Sequence, residues 1–215
     1  MREKGFTLIE LMIVIAIVVI LAVIALPNLL SSRVSANETA AIATMRTILG
    51  AQVTYQGSHS IDANNNGVGE YASMGDLSAS TPAFLPASFR NIDGNGWASK
   101  GGYYYAMYLL DSNGVGQGDL AGGGRGASVD ADMSESFWVC YAWPIAHGKS
   151  GNRTFMVSWH GDVIATDGKY DGSTFSPFAG AGFTGGGLQI DGAQLATSST
   201  SMPNGRDAYD WKMSG

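Results

Sequence analysis

The sequence predicts an α+β protein in which one long N-terminal helix packs on a small antiparallel β-sheet head. The first observation is a strongly apolar N-terminal segment that continues as an amphipathic helical pattern. The second is a change of composition, because among the 30 glycines only Gly5 and Gly50 precede Gly57. The third is a set of short aromatic and β-branched runs within the Gly-rich part, which β-strands favour.

The N-terminal segment has the length and composition of a membrane-spanning helix. Residues 11–26 are all apolar, and the wider span Phe6–Leu30 exceeds the ~20 residues needed to cross a bilayer. A secretory signal peptide has a shorter apolar core of roughly 7–15 residues and a small-x-small cleavage site, which is missing here. A plain membrane anchor does not explain Glu10, because a carboxylate in a bilayer costs ~2.5–3.5 kcal/mol and is usually functional.

The residues around that carboxylate resemble a known signature. The string GFTLIE at residues 5–10, followed by the apolar run and Pro27, resembles the N-terminus of type IV pilins and of type II secretion pseudopilins. The resemblance implies that residues 1–5 are a leader, cut after Gly5 by a prepilin peptidase. It also implies that Phe6 becomes the new N-terminus and is N-methylated by the same enzyme family.

The resemblance further implies an assembly role for Glu10, which would meet the N-terminal amine of Phe6 in a neighbouring subunit. An ammonium and a carboxylate offset one another's cost in a low-dielectric core, and their pairing sets the axial register. Pro27 lacks an amide hydrogen, so we expect it to kink or loosen the helix. The family often has a helix-breaking glycine midway along this run, where the chain has residues 18–20 with branched side chains, and the extent of unwinding before Pro27 stays open.

Partners and location follow from the same resemblance and from charge. The expected partners are identical or related pilin subunits in a homopolymer, the prepilin peptidase, an inner-membrane assembly platform and membrane lipid. Arg2 and Lys4 favour a cytoplasmic N-terminus for a single-pass protein of the inner membrane, which becomes a periplasmic or extracellular filament. The net charge of −6 argues against a nucleic-acid partner. A type IV pilus subunit, a pseudopilin of type II secretion and a filament-borne adhesin or glycan-binding subunit remain alternatives.

Residues 31–56 are predicted to continue the helix, with residues 6–30 as the transmembrane or filament-core half. Apolar residues recur at three- and four-residue steps and define one stripe along the helix. The stripe positions are Leu30, Val34, Ala41, Met45, Ile48 and Gln52/Val53. The whole helix, from Phe6 to about Gln56, is then ~75 Å long. Arg33 and Arg46 lie on its polar side, where they are solvated or contact an acidic neighbouring subunit.

Residues 57–215 are predicted to form the Gly-rich globular β head. The strand-like runs are Tyr103–Leu110, Phe137–Trp143, Thr154–Trp159 and Val163–Thr166. Turn residues at 149–153 and 160–162 join the later runs, which predicts a three- or four-stranded antiparallel meander. A short helix is expected at 74–79 and a surface loop at 114–132. Residues 172–215 are expected to wrap the sheet edge or to stay partly disordered until assembly, with core candidates Phe175, Phe178, Phe183, Leu188, Ile190 and Trp211.

Residues 62–70 contain a pattern typical of calcium-binding loops. The candidate ligands, at alternate positions around a glycine in sixth place, are Asp62, Asn64, Asn66, the Val68 carbonyl and Glu70. The pattern departs from an EF-hand at its twelfth position, which is Ser73 rather than glutamate. The alternative is an Asx-rich turn whose side chains bond their own backbone. Calcium is therefore the one cofactor that the sequence offers as a hypothesis.

Nothing else in the sequence indicates catalysis. His59, His147 and His160 lack zinc-ligand spacing, and no nucleophile elbow or phosphate loop is present. Cys140, the only cysteine, lies in an apolar run and is predicted to be a core residue. The plentiful tryptophans and tyrosines are predicted to pack the core and sheet, or in part to form an exposed adhesive surface.

Overall fold

The computed structural model describes residues 6–174, 176–177 and 211–214. Within them, one long helix packs against an antiparallel sheet of seven strands, which confirms the predicted α+β fold. Helix α1 spans Leu8–Gly57, and two short helices, α2 and α3, span Met74–Ala79 and Ala131–Ser134. A 3-10 turn covers Ala87–Arg90.

Helix α1 is continuous over its 50 residues, which corresponds to ~75 Å. Thr7 caps its start, and the helix runs through Pro27 and ends at Gly57, close to the predicted bounds. Every residue from Phe6 to Arg33 is exposed except Ala22, which is half-buried. By length and composition this first half can cross a membrane.

The second half of α1 lies against the head along one face. Its buried residues are Val34, Glu38, Ala41, Thr44, Met45, Ile48, Ala51, Gln52 and Tyr55. The predicted stripe is confirmed except at its ends, because Leu30 and Val53 are exposed. Gln52 occupies the last stripe position because its side-chain amide bonds both the carbonyl and the amide of Ala72, at 2.7 and 2.9 Å. Val53 lies about 100° further round the helix and faces outward.

The sheet is a meander of four longer strands with three short additions. The strands are β1 Ala98–Lys100, β2 Tyr103–Leu110, β3 Gly116–Gly118, β4 Trp138–Pro144, β5 Thr154–Ser158, β6 Val163–Thr166 and β7 Trp211–Met213. Their order is β1-β2-β4-β5-β6-β7, and β3 also pairs with β2. The predicted meander corresponds to β2, β4, β5 and β6, whose bounds match within one residue.

Sequence reasoning missed the three short strands. β1 and β3 have three residues each and contain glycine or polar residues, so they carry no alternating apolar pattern. The segment predicted as a loop at 114–132 therefore contains β3 and the first residues of α3, which corrects that prediction. Trp211 is buried in β7, which pairs with β6 and forms this edge of the sheet. This part of the C-terminal region therefore lies at the sheet edge, which was one of the two expectations for it. The other core candidates of that region, Phe175, Phe178, Phe183, Leu188 and Ile190, lie outside the described residues.

The sheet is buried on both faces. The inner face packs on α1 through residues such as Tyr103, Tyr105 and Cys140, so the predicted core position of Cys140 is confirmed. The outer face carries a second apolar cluster that includes Tyr141, Trp143 and Trp211. This explains why β4 is buried at all seven positions.

Candidate functional site

The start of α1 is organised by Thr7 and Glu10. The Glu10 carboxylate accepts hydrogen bonds from the Thr7 backbone amide and hydroxyl at 2.9 and 2.7 Å. The Thr7 hydroxyl in turn accepts a bond from the Glu10 amide at 3.3 Å. This is a reciprocal capping box, and the Thr-x-x-Glu spacing would have predicted it. Gly5, the residue before the predicted cleavage site, lies outside the described residues.

The first half of α1 presents an apolar surface that no described part of the chain covers. Phe6 is 91% exposed, and the isoleucines, leucines and valines between Leu8 and Leu30 are each more than half exposed. Such a surface is stable only in lipid or against other apolar helices, since water penalises every exposed square ångström. Pro27 lies within this surface, inside the helix.

After its apolar half, α1 is hydrogen-bonded to the loop between β4 and β5. The buried Glu38 carboxylate accepts bonds from the Asn152 amide and the Arg153 guanidinium at 2.9 and 2.8 Å. Asn37 donates to the Ser150 carbonyl at 2.8 Å. These contacts fix where the helix leaves the head.

A groove, here called the proximal groove, opens beside this junction. It has a volume of about 650 Å³, and its lining includes Leu30, Arg33, Val34, Gly148, Lys149 and Asn152. Arg33 and Lys149 are exposed, as predicted for Arg33 on the polar side of the helix. Arg46 is exposed as well. Sequence reasoning did not find the groove, because Lys149 comes close to Arg33 only through the β4–β5 turn.

Residues 62–70, here called the distal loop, lie at the other end of the head. The Asp62 carboxylate accepts from the amides of Asn66 and Gly67 at 3.1 and 3.0 Å. The side-chain oxygens of Asn64 and Asn66 accept from backbone amides two residues further on. Oxygens of three of the proposed calcium ligands are therefore engaged in Asx-type turns.

The Glu70 carboxylate has a cationic partner outside the loop and one backbone partner within it. It is fully buried, pairs with the Arg125 guanidinium and accepts from the Ala63 amide at 2.8 Å. Arg125 also donates to the Tyr71 carbonyl at 2.7 Å, and burial lowers the pKa of its guanidinium. No group of three or more His, Cys, Asp or Glu side chains within the described ranges is arranged to hold a metal. This geometry fits the Asx-turn alternative better than a preformed calcium site, and calcium binding stays a prediction.

Two amides of the distal loop reach α3 and the residue after it. Asn64 donates to Asp132 at 2.6 Å and to Glu135 at 2.8 Å, and Asn66 donates to Glu135 at 2.8 Å. Gln56, near the end of α1, donates to the Glu135 backbone carbonyl. The distal loop, α3 and the helix end thus form one acidic surface.

Comparison with known proteins places this architecture in a family. The model of the prokaryotic N-terminal methylation motif matches residues 1–26. The chain is also 41% identical over 103 residues to the type IV wide pilus major component PilA4 of Thermus thermophilus, covering 47% of the chain and 75% of that protein. This chain belongs to the type IV pilin family.

A second relative agrees with this placement. The type IV major pilin protein PilA of Myxococcus xanthus is 43% identical over 54 residues, which is 25% of the chain and 24% of that protein. Both relatives are named as pilus components, which does not favour the pseudopilin alternative. No solved structure gives a significant match. The type IV pilin resemblance of residues 5–10 is confirmed.

Proposed function

We propose that this pilin is a structural subunit of a type IV pilus and that it works by polymerisation. The observation that carries the proposal is the uncovered apolar half of α1, which begins at the methylation motif and has a single carboxylate at its leading edge. Membrane lipid and a core of identical helices solvate that surface equally well. The same helix can therefore serve first as an anchor and later as part of a filament core.

The processing steps belong to the same proposal. A prepilin peptidase cuts between Gly5 and Phe6, and Phe6 is N-methylated at its new amine. The subunit waits in the inner membrane with its N-terminus on the cytoplasmic side, and an assembly platform moves it into an extracellular filament. Residues 6–30 then form the filament core, and the head from residue 57 forms the outer surface. The subunit has no catalytic role in this proposal.

Glu10 sets the register of assembly by pairing with the Phe6 amine of a neighbouring subunit. Within one chain the carboxylate already accepts two bonds from Thr7, so it is held at the helix start in a fixed orientation. Within the described part of one chain, the Glu10 carboxylate has no cationic partner. The amine of a neighbouring subunit supplies that positive charge. Pairing offsets the cost of burying both charges in the filament core.

We expect Glu10→Ala to leave the subunit processed and membrane-inserted but to reduce sheared filaments at least about tenfold. The Phe6 amine of the neighbouring subunit is then buried without its counter-charge, which costs several kcal/mol. Immunoblots of membranes and of sheared filaments measure the two pools. Thr7→Ala is the matched control, because it removes the hydroxyl of the capping box and keeps the carboxylate. If Thr7→Ala lowers assembly as much as Glu10→Ala, Glu10 acts only as a helix cap. Normal filaments with Glu10→Ala contradict the pairing.

A further inference from the structure

Unpaired charges of opposite sign lie at the two ends of the pilin head. Arg33 and Lys149 rim the proximal groove, and neither forms an ion pair within the described part of the chain. At the other end, the carboxylates of Asp132 and Glu135 contact the amides of Asn64 and Asn66, as described above. No cation among the described residues pairs with those carboxylates.

The separation of the two ends follows from helix α1. Arg33 lies at the proximal groove, whereas Gln56 contacts Glu135 at the acidic end. The 23 residues between them correspond to about 35 Å along the helix axis. The two patches therefore cannot meet within one chain, and a partner of opposite charge for either patch comes from another molecule.

The apolar and charged composition of the two ends is also complementary. The proximal groove combines the apolar side chains of Leu30 and Val34 with a cationic rim. The distal loop carries the exposed apolar side chain of Val68 beside Gly67, whose φ of 85° makes the turn. The Asx-type turns and the bonds to α3 hold this loop in one conformation before any contact, which lowers the entropic cost of binding.

We propose that the acidic end of one pilin, with Val68 and the carboxylates of Asp132 and Glu135, docks into the proximal groove of another copy that is offset by about 35 Å along the filament. This copy is a different neighbour from the one whose Phe6 amine meets Glu10, because that pairing offsets two chains by only about 6 Å. Val68 lies over Leu30 and Val34, while the carboxylates face Arg33 and Lys149. The contact joins different surfaces of identical chains, and such a heterologous contact generates an open helical filament when its rotation does not close. The inference rests on the proposed function, and it names the head surfaces that join subunits along the filament.

Charge reversal tests the electrostatic part in the full-length chain. Arg33→Glu with Lys149→Glu places like charges opposite the acidic end and lowers sheared filaments by at least about tenfold. Arg46→Glu is the matched control, because Arg46 is an exposed arginine of the same helix outside the groove. Adding Asp132→Lys and Glu135→Lys to the groove double variant restores complementarity and filaments.

Cross-linking tests the geometry independently of charge. The native Cys140 is buried, so cysteines introduced by Val68→Cys and Ser31→Cys are the reactive ones. Ser31 is an exposed residue that lines the groove, and replacing it keeps both cations. A short bismaleimide applied to sheared filaments gives a ladder of covalent multimers, since each subunit carries both halves of the contact. Val53→Cys with Ser31→Cys is the control, because Val53 is also exposed but lies outside the distal loop.

The outcomes separate this inference from the proposed function. Absence of filaments from the unaltered chain contradicts the function itself. Normal filaments from the groove double variant, or filaments without a cross-linked ladder, overturn the docking while the function stands. If the fourfold variant does not recover filaments because its acidic end misfolds, the cross-linked ladder decides whether the two surfaces dock. Loss of the membrane-inserted pool in the groove double variant indicates that the groove binds anionic lipid headgroups, which also overturns the docking.

Discussion

At the scale of single residues, Glu70 does more for the head than its loop position indicates. Its carboxylate is fully buried and joins the distal loop, through the Ala63 amide, to Arg125. Arg125 in turn bonds the Tyr71 carbonyl. The pair therefore ties both ends of the distal loop to the stretch around Arg125.

Arg125→Ala leaves the Glu70 carboxylate buried without its counter-charge, and we expect it to destabilise the head by about 3–5 kcal/mol. Chemical denaturation of the full-length chain in detergent, followed by tryptophan fluorescence, measures the change. Adding Glu70→Gln to Arg125→Ala removes the buried charge and should recover part of the loss. Equal stability of Arg125→Ala and the unaltered chain contradicts a structural role for the pair.

Residue identity alone could not reveal this pair. The alternate spacing of Asp62, Asn64 and Asn66 led to the calcium hypothesis, in which Glu70 was a ligand and not the partner of an arginine. The partner, Arg125, lies 55 positions away in a Gly-rich stretch without a strand or helix pattern. By contrast, the roles proposed for Gly5, Phe6 and Glu10 rest on a short local motif, which the sequence displays in full.

At the scale of elements, long segments with a regular pattern were predictable and short ones were not. α1, α2 and the four meander strands follow from periodicity and side-chain type. β1, β3 and α3 have three or four residues each, and tertiary contacts rather than propensity hold them. The proximal groove likewise needs the β4–β5 turn to approach α1, which no local pattern encodes.

The loop after β3 is held to α2 by a buried carboxyl group, and the burial of this group makes the head sensitive to pH. Asp119 accepts from the Gly75 amide at 3.2 Å, and burial raises its pKa to about 8. The folded state thus binds a proton that the unfolded chain releases near pH 4. Stability from this group is present at low pH and is lost as the pH rises from about 4 through about 8.

We expect Asp119→Asn to remove this loss, because the amide is neutral at every pH and its oxygen can still accept from Gly75. The difference in free energy of unfolding between variant and unaltered chain should therefore grow in favour of the variant between about pH 5 and pH 9. Denaturation at several pH values measures it. A difference that does not change with pH shows that Asp119 titrates alike in both states.

At the scale of the whole molecule, the chain combines two parts with different needs. The first half of α1 is exposed except at the half-buried Ala22 and adds nothing to the core of the head, whereas the second half supplies core residues such as Met45 and Ile48. In the proposed filament the first half forms the polymer core, and the fold of the head depends on the second half. This division was predictable, because the apolar run and the amphipathic stripe differ in pattern.

We expect a chain that starts at Ser31 to fold as a monomer in aqueous buffer, since only the exposed apolar half is removed. A chain that starts at Gly50 also loses Val34, Ala41, Met45 and Ile48. Removing buried side chains of that size costs about 2–5 kcal/mol each for the larger ones, which together exceeds much of a domain's stability of about 5–15 kcal/mol. Near-ultraviolet circular dichroism of the buried tryptophans and a thermal melt distinguish the two chains. An unfolded chain from Ser31 contradicts the division, because the head would then depend on the membrane-spanning half.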